Sequence, residues 1–224
     1  QEAGLPDGLF NVIAGDRNLV GDILTHPGID AISFVGSSPV AHIVQDTGVA
    51  HGKRVQALGG ANNHAIVMPD ADIEFAAQHI SAGAFGAAGQ RCMALPVIVA
   101  VGGIAEKLVP AIKARAEKIV VGPGTDPACE MGPVITRSSQ QRITKWIDEA
   151  EANGASVVLD GRGYKPEGEE YADGFWLGPT ILDNVDRKLD IYCEEVFGPV
   201  LVVVHADTYE EAIEIVNSSP YGNG

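Results

Sequence analysis

The chain has 224 residues, of which 46% are hydrophobic and 20% charged, a composition typical of a folded globular protein rather than a disordered or fibrous one. Thirty acidic residues against 15 basic residues give a formal net charge of −15 at pH 7, which argues against nucleic acid and anionic membranes as partners, because both bind positive surfaces. The three cysteines, Cys92, Cys129 and Cys193, are far apart and follow no zinc-binding spacing, so we expect no metal site and a reduced, intracellular chain.

Short apolar runs alternate with amphipathic segments along most of the chain, which predicts β-α-β units and a parallel sheet. The predicted strands are residues 10–14, 31–35, 53–58, 65–68, 94–101, 157–159 and 200–205. The predicted helices are residues 17–25, a helix opened by Ser37, Ser38 and Pro39, a helix capped by Asp70 or Asp72, and residues 106–120, 138–153 and 211–216.

Single residues mark the ends and interruptions of these elements. Residues 31–35 are expected to form a buried strand, and Pro110 is expected to kink or divide its helix. Thr208 and the glutamate three residues later predict a capping box, whereas the glycine-rich, charged residues 160–175 predict an exposed loop or hairpin. A change in composition at residues 59–63 predicts a domain boundary after residue 60.

The stretch AAGQRCMAL at residues 87–95 places Cys92 on a loop between a predicted helix and a predicted strand. The neighbouring cation Arg91 favours a lowered thiol pKa and therefore a thiolate nucleophile. A buried, inert cysteine is the alternative. These residues alone do not decide between the two.

Two further segments could bind a cofactor. FVGSS at residues 34–38 places Gly36 and Ser37 at a helix N-terminus, where a pyrophosphate can bind, although a plain strand–turn–helix also fits. EEVFGPV at residues 194–200 contains Glu195, whose carboxylate could bind ribose hydroxyls. A solvated acidic turn is the alternative for that segment.

Taken in order, FVGSS, LGG (58–60), GQRC (89–92) and EEVFGPV resemble motifs of the aldehyde dehydrogenase superfamily, and the resemblance extends over essentially the whole chain. The resemblance implies that Cys92 is the catalytic thiolate. The residues that it implies for NAD binding are Gly36 and Ser37 at the pyrophosphate, and Glu195 and Phe197 on the ribose and nicotinamide side.

The fold that this resemblance implies is α/β and aldehyde-dehydrogenase-like. Residues 61–224 would form a three-layer catalytic domain around a parallel sheet, incomplete at its C-terminus. Residues 1–60 would be the C-terminal remnant of a Rossmann-like NAD-binding domain. The chain is therefore expected to be truncated at both ends, without the family's oxyanion asparagine and its C-terminal oligomerisation segment.

The family's mechanism, as the resemblance implies it, adds the thiolate to an aldehyde, passes hydride to NAD and leaves a thioester on Cys92. The Cys92 backbone N–H would be one donor to the oxyanion. Ordinary members hydrolyse the thioester with a glutamate in an ELGG motif, but here Ala57 stands in place of that glutamate. Since alanine cannot accept a proton, another carboxylate substitutes, the chain is impaired, or water is not the acceptor.

HGKRVQ (51–56), NHAIVMPDA (63–71), AFGAAGQRCMAL (84–95) and the segment 121–136 are similar to the methylmalonate-semialdehyde dehydrogenase subgroup, which passes its acyl group to coenzyme A. This similarity implies NAD-dependent oxidation of methylmalonate or malonate semialdehyde to an acyl-CoA, in valine or inositol breakdown. Arg91 is then expected to bind the substrate carboxylate with its guanidinium. Bonds from Arg91 to loop carbonyls are the alternative.

Two other functions remain open: a hydrolytic, CoA-independent dehydrogenase, and a catalytically silent fragment with a role in assembly. The isolated chain is expected to bind NAD poorly and to be inactive. A full-length enzyme is expected to form a homo-oligomer. The expected location is the cytoplasm in a bacterium or the mitochondrion in a eukaryote.

Overall fold

The structure is a computed structural model that describes residues 3–224. It divides into two compact units, Gln1–Gly60 and Ala61–Gly224. The assignment of the first to NAD binding and of the second to catalysis stays a prediction. Within the described residues, no helix is both long and apolar enough to cross a membrane. Among residues 3–224, no three or more His, Cys, Asp or Glu side chains form a group that could hold a metal ion.

The first unit is built on a two-stranded parallel sheet. Its elements are α1 (Arg17–Thr25), β1 (Ala31–Val35), α2 (Ser38–Ala50) and β2 (Arg54–Leu58). Helix α2 packs on the sheet, and Gly48 permits the close approach, because a Cβ at that position would lie 2.6 Å from Cγ2 of Val55. The helices and the two strands lie close to their predicted bounds.

Two predictions for this unit are wrong. Residues 10–14 form no strand, and Phe10, Val12 and Ile13 are 74%, 82% and 68% exposed. A strand needs a neighbour for its backbone N–H and C=O groups, and β1 and β2 bond to each other instead. β1 is not buried either, since its residues alternate between exposed and partly buried. A pair of strands with a helix on one face leaves the other face in solvent.

The second unit contains a five-stranded sheet in the order β3-β4-β7-β6-β5. Its strands are β3 (His64–Val67), β4 (Val97–Val101), β5 (Ser156–Leu159), β6 (Thr180–Asp183) and β7 (Val200–Ala206). Its helices are α3 (Ile73–Phe85), α4 (Ala105–Ala116), α5 (Arg137–Ala152), α6 (Asp190–Cys193) and α7 (Tyr209–Asn217). All of β4 and the first five residues of β7 are buried. Because successive strand residues point to opposite faces, both faces of the sheet are covered, as in a three-layer α/β unit.

The sheet is parallel except at one edge. β3, β4, β7 and β6 run in the same direction, whereas β5 pairs antiparallel with β6. The prediction of a parallel sheet is therefore wrong for β5, and β6 is absent from the strands predicted from the sequence. Residues 160–175 form the predicted loop, with one short 3-10 turn at Glu169–Tyr171.

The starts of α3 and α7 follow the predicted capping chemistry, whereas Ser37 at the N-cap of α2 makes no side-chain capping bond. Of the two candidate aspartates, Asp72 caps α3, with its carboxylate accepting a bond of 2.9 Å from the N–H of Phe75. Thr208 caps α7. Pro110 does not divide α4, which runs unbroken through it. Pro110 and Glu106 are exposed, so water can bond the Glu106 carbonyl that the proline leaves without a helical partner.

The strand order brings three distant segments to one edge of the sheet. Asn63 directly precedes β3, Cys92 lies before β4, and Glu195 and Phe197 lie before β7. These strands are consecutive parallel neighbours, so their amino ends lie side by side. Open α/β sheets usually bind ligands at the carboxyl ends of their strands, whereas here the chemically interesting side chains gather at the opposite edge.

Candidate active site

Cys92 lies in an exposed turn that precedes β4. The turn is closed by the Ala94 N–H, which donates to the Arg91 carbonyl over 3.0 Å. The central residues of such a turn contribute no N–H to it, and the Cys92 N–H forms no hydrogen bond with any residue from 3 to 224. Cys92 is exposed, so the alternative of a buried cysteine is wrong, while its role as a nucleophile stays a prediction. A thiol and an unbonded N–H on one residue can act together on a carbonyl group.

The backbone before this turn is held in an uncommon conformation. Ala87, Ala88 and Gly89 have φ angles of 52°, 53° and 64°, and alanine in the left-handed region costs free energy that the surrounding structure must supply. Gly89 is sterically required, because a Cβ there would lie 2.0 Å from the carbonyl oxygen of Gly198. The Cys92 loop therefore packs backbone to backbone on the segment that precedes β7.

Gln90 links the Cys92 loop to two other segments. Its Nε2 donates to the carbonyl of Phe197 over 3.2 Å, and its Oε1 accepts a bond of 3.0 Å from the Ile135 N–H. One side chain thus sets the spacing between the Cys92 loop, the Phe197 segment and the residues before α5.

Two side-chain amides contact the Cys92 turn from outside it. Nδ2 of Asn63 donates to the carbonyls of Cys92 and Ala94, over 2.9 Å and 2.6 Å. Nδ2 of Asn223 donates to the Cys92 carbonyl over 3.0 Å. The turn is exposed, yet its carbonyl groups are held by side chains from two other parts of the chain.

The guanidinium of Arg91 lies against the last turn of α3. Its Nη2 donates to the carbonyls of Ala82 and Gly83, over 2.9 Å and 3.2 Å. These contacts agree with the alternative prediction for Arg91, in which its side chain bonds backbone carbonyls. A role for Arg91 in substrate recognition stays a prediction. Gly86 makes room for the side chain, since a Cβ there would lie 2.8 Å from Nη2.

Glu195 is a partly buried carboxylate at the start of the segment before β7. Burial raises the pKa of Glu195, while a bond from the Ala61 N–H and the positive charge of Arg142 oppose that rise. Phe197 is 37% exposed and has a φ of 49°. A non-glycine residue in this conformation needs outside support, which the bond from Gln90 to its carbonyl provides.

Arg142 on α5 holds the same segment from the other side. Its Nη2 donates to the Val196 carbonyl over 2.9 Å, and its guanidinium lies 4.5 Å from the ring centroid of Trp146. Burial lowers the pKa of Arg142, and the negative charge of Glu195 opposes that effect. The charge of Arg142 therefore favours an ionised Glu195.

One small pocket in the second unit is lined by Cys92, Arg91, Glu195 and Phe197, together with Gly89 and Gly198. Four of the six residues singled out from the sequence are thus brought together. The other two, Gly36 and Ser37, lie in the first unit and are described within it.

Gly36 ends β1, and Ser37 occupies the N-cap of α2 without a capping bond from its side chain. The first N–H groups of a 13-residue helix are therefore left for another acceptor. Gly59 at the end of β2 permits close packing there, because a Cβ would lie 2.9 Å from Oγ of Ser38. This helix start fits a phosphate group.

The other two cysteines lie in environments that oppose ionisation. Burial raises the pKa of Cys129, with the negative charge of Asp126 adding to the effect. Burial also raises the pKa of Cys193, and the nearby carboxylates Asp190 and Glu194 add to it. Both thiols are partly buried, in contrast to the exposed Cys92.

Sequence reasoning did not single out four side chains that shape this pocket: Asn63, Gln90, Arg142 and Asn223. Gln90 lies within the GQRC motif and Asn63 within NHAIVMPDA, but neither motif indicates which distant backbone groups these amides bond. Nothing in the local pattern around Arg142 or Asn223 marks them, because their partners are 54 and 131 residues away in sequence.

Comparison with known proteins connects this geometry to a family. The profile of the aldehyde dehydrogenase family matches residues 1–224. The chain is 48% identical over 224 residues to malonate-semialdehyde dehydrogenase 1 of Geobacillus thermodenitrificans, covering 100% of the chain and 46% of that protein. It is also 48% identical to the mitochondrial, acylating methylmalonate-semialdehyde/malonate-semialdehyde dehydrogenase of Bos taurus, covering 100% of the chain and 41% of that protein. The chain thus spans less than half the length of these relatives.

Solved structures agree. The fold matches that of methylmalonate-semialdehyde dehydrogenase from Oceanimonas doudoroffii with a TM-score of 0.95 and 48% identity, covering 100% of this chain and 46% of the other. Betaine aldehyde dehydrogenase from Staphylococcus aureus, in complex with NAD+, matches with a TM-score of 0.88 and 34% identity, covering 99% of this chain and 44% of the other. The predicted fold class is confirmed. The chain belongs to the aldehyde dehydrogenase family.

Proposed function

We propose that the protein oxidises malonate or methylmalonate semialdehyde with NAD and passes the acyl group from Cys92 to coenzyme A. The observation that carries this proposal is the exposed Cys92 thiol, which lies in a turn with an unbonded N–H and shares a pocket with Glu195 and Phe197. The names of the relatives, semialdehyde dehydrogenases of the acylating type among them, support the substrate class and the acceptor. Valine or inositol breakdown is the expected setting.

In the first step, the Cys92 thiolate forms a C–S bond to the aldehyde carbon, and the π electrons of the carbonyl move to its oxygen. The oxyanion that results needs donors that are already in place. The Cys92 N–H can act as one of them because it has no other partner among the described residues.

The residues that would hold NAD fit its chemistry. The uncapped helix start at Gly36 and Ser37 would bind the pyrophosphate, and the partly buried Glu195 would accept bonds from ribose hydroxyls. When bound, NAD accepts the hydride that leaves the carbon of the Cys92 adduct. A thioester on Cys92 remains.

Ala57 is the reason for proposing a thiol rather than water as the acceptor. In the second half of the reaction, the thiolate of coenzyme A attacks the thioester carbonyl, and the Cys92 thiolate leaves. A thiolate at neutral pH needs less help from a protein base than water does. A side chain without a proton acceptor at position 57 is compatible with this exchange.

Arg91 would bind the carboxylate of the substrate. Both bonds that its guanidinium makes with described residues use Nη2, which leaves Nη1 and Nε as donors. Both parallel pairs of guanidinium N–H groups include an Nη2 hydrogen, so the substrate carboxylate would accept a single charge-assisted bond, from Nη1. The bonds to Ala82 and Gly83 would then aim the guanidinium at the pocket rather than compete with the substrate.

A second function is favoured by one observation. Glu195 lines the same pocket as Cys92, and burial raises the pKa of its carboxyl group. A raised pKa suits a general base, so Glu195 could activate water and make the enzyme hydrolytic and independent of coenzyme A.

The test is NADH formation by the full-length enzyme from malonate semialdehyde with and without coenzyme A, in the wild type, Cys92→Ala and Glu195→Gln. We expect turnover that requires both coenzyme A and Cys92, while Glu195→Gln raises the KM for NAD. Equal turnover without coenzyme A, lost in Glu195→Gln, would establish the hydrolytic function instead. Turnover that survives in Cys92→Ala would contradict both. Cys193→Ala, which removes a partly buried thiol, is the control.

A further inference from the structure

The carboxamide of Asn63 is buried and holds two carbonyl groups of the Cys92 turn. Asn63 is 6% exposed. Its NH2 group donates one bond to the Cys92 carbonyl and one to the Ala94 carbonyl. With Asn223 also donating to the Cys92 carbonyl, both lone pairs of that oxygen are engaged.

These bonds matter because the turn has few other contacts, chiefly those of Arg91 and Asn223. Arg91, Cys92 and Met93 are exposed, and the one backbone bond of the turn joins its ends. The peptide planes on either side of Cys92 determine where its N–H and its Sγ point. Asn63 is the residue directly before β3, and β3 pairs with β4, the strand that follows the turn. The position of the Asn63 amide is therefore fixed by the sheet and not by the loop.

The orientation of this amide is determined by its surroundings. Turned over, Oδ1 would face the two carbonyl oxygens and repel both. In the observed orientation Oδ1 is buried and has no hydrogen-bond partner among residues 3–224. A buried acceptor without a partner destabilises the fold, so the amide is not explained by stability alone.

We propose that Asn63 is a positioning residue, which holds the Cys92 peptide so that the N–H and Sγ of Cys92 face the same point in the pocket. This inference rests on the proposed role of Cys92 as the nucleophile. Asn63 does not touch the reacting atoms. It acts through the backbone of the turn, with Asn223 as a weaker, exposed second donor.

The neighbouring residue offers a matched control. Asn62 is 5% exposed, and its Nδ2 also donates to a backbone carbonyl, that of Tyr192, over 2.6 Å. Asn63→Leu and Asn62→Leu keep the size of the side chain and remove the same polar group. They differ in whether the lost bonds hold the Cys92 turn.

The experiment measures kcat and KM for NAD in both variants, together with the rate at which iodoacetamide alkylates Cys92, read by peptide mass spectrometry. We expect Asn63→Leu to lower kcat by about 10²-fold with little change in KM, since a misplaced reacting group has effects of that size. We also expect it to slow Cys92 alkylation several-fold, while Asn62→Leu leaves alkylation within about twofold of the wild type. Equal effects of the two variants on kcat and on Cys92 alkylation would overturn the proposal.

Asn223→Ala keeps the proposal falsifiable if Asn63→Leu does not fold, because Asn223 is exposed. Its removal is expected to lower kcat several-fold, and unchanged kcat and unchanged alkylation in this variant would count against the proposal. Alkylation needs neither NAD nor substrate. Slower alkylation of Cys92 in Asn63→Leu, combined with no NADH formation by the full-length wild-type enzyme, would therefore refute the proposed function and leave the positioning role standing.

Discussion

The Cys92 turn and the Glu195–Phe197 segment lie side by side at the amino ends of β4 and β7, but they are held in different ways. Neutral amides from Asn63 and Asn223 contact the turn. A cation, Arg142, contacts the other segment. The cation on the second segment suits its proposed task, because a positive charge favours the carboxylate form of Glu195.

The two segments meet at Gly89 and Gly198, and the largest expected effect comes from separating them there. In Gly89→Ala the new Cβ would lie 2.0 Å from the Gly198 carbonyl oxygen, so one backbone must move. We expect kcat to fall by about 10²-fold or more and the unfolding free energy to fall by about 1–3 kcal/mol. Steady-state kinetics and urea unfolding measure these changes.

Gly103→Ala is the control for that experiment. Gly103 also has a positive φ, of 80°, but a Cβ there meets nothing within 4 Å. It should lose stability from backbone strain and keep kcat. Equal losses of kcat in both variants would show that general strain, and not the contact of the two segments, matters.

The reactivity of the three thiols tests whether the Cys92 turn differs from the surroundings of Cys129 and Cys193. Burial and nearby carboxylates raise the pKa values of Cys129 and Cys193, so their thiolates form only as the pH rises above the ordinary range for thiols. We expect iodoacetamide to modify Cys92 at least about tenfold faster than either at pH 7, with the preference shrinking above pH 9. Peptide mass spectrometry between pH 6 and 10 provides the rates. Equal rates at pH 7 would favour a catalytically silent chain.

Gln90→Glu tests the link between the segments with a single atom changed. The acceptor for the Ile135 N–H is kept, while the donor to the Phe197 carbonyl is lost. We expect about a tenfold loss in kcat/KM for NAD, because a carboxylate would face a carbonyl oxygen. Gln140→Glu, which breaks a bond of the same kind to the Trp176 carbonyl, should leave kcat/KM near the wild-type value.

Arg142→Met tests the cation on the Glu195 segment and has a smaller expected effect than Gln90→Glu. Removing the charge should raise the pKa of Glu195 further, since Arg142 opposes the rise that burial causes. We expect the KM for NAD to rise by about threefold to tenfold, most strongly at low pH, where Glu195 is more often protonated. The control is Arg137→Met. Arg137 is at the start of the same helix, and its guanidinium lies over the ring of Phe175, so its removal should not change the KM for NAD.

The same carboxyl group makes a smaller contribution to the pH dependence of stability. Because the folded-state pKa of Glu195 is raised, ionisation is less favourable in the folded than in the unfolded state. The stability that this group contributes is present below its unfolded pKa and is lost as the pH rises through its folded pKa. Glu195→Gln should remove this dependence, which urea unfolding at several pH values would show.

Local chemistry in the sequence determined much of this protein. The helices α1, α3 and α7 could be predicted because aspartate, threonine and apolar spacing act within a few residues of each other. The loop position of Cys92 and the order of the motifs were also readable, and they point to the family to which the chain belongs.

Tertiary structure decided what depends on contacts between distant residues. Residues 10–14 have the apolar pattern of a strand, but the pattern does not reveal whether a neighbouring strand is available. The pattern of β5 likewise does not reveal that the strand runs antiparallel to β6. The order β3-β4-β7 brings Asn63, Cys92 and Glu195 to one edge. The sequence alone determined which residues are able to do chemistry, but strand order decided which of them meet, because that order is set by long-range pairing and not by local propensity.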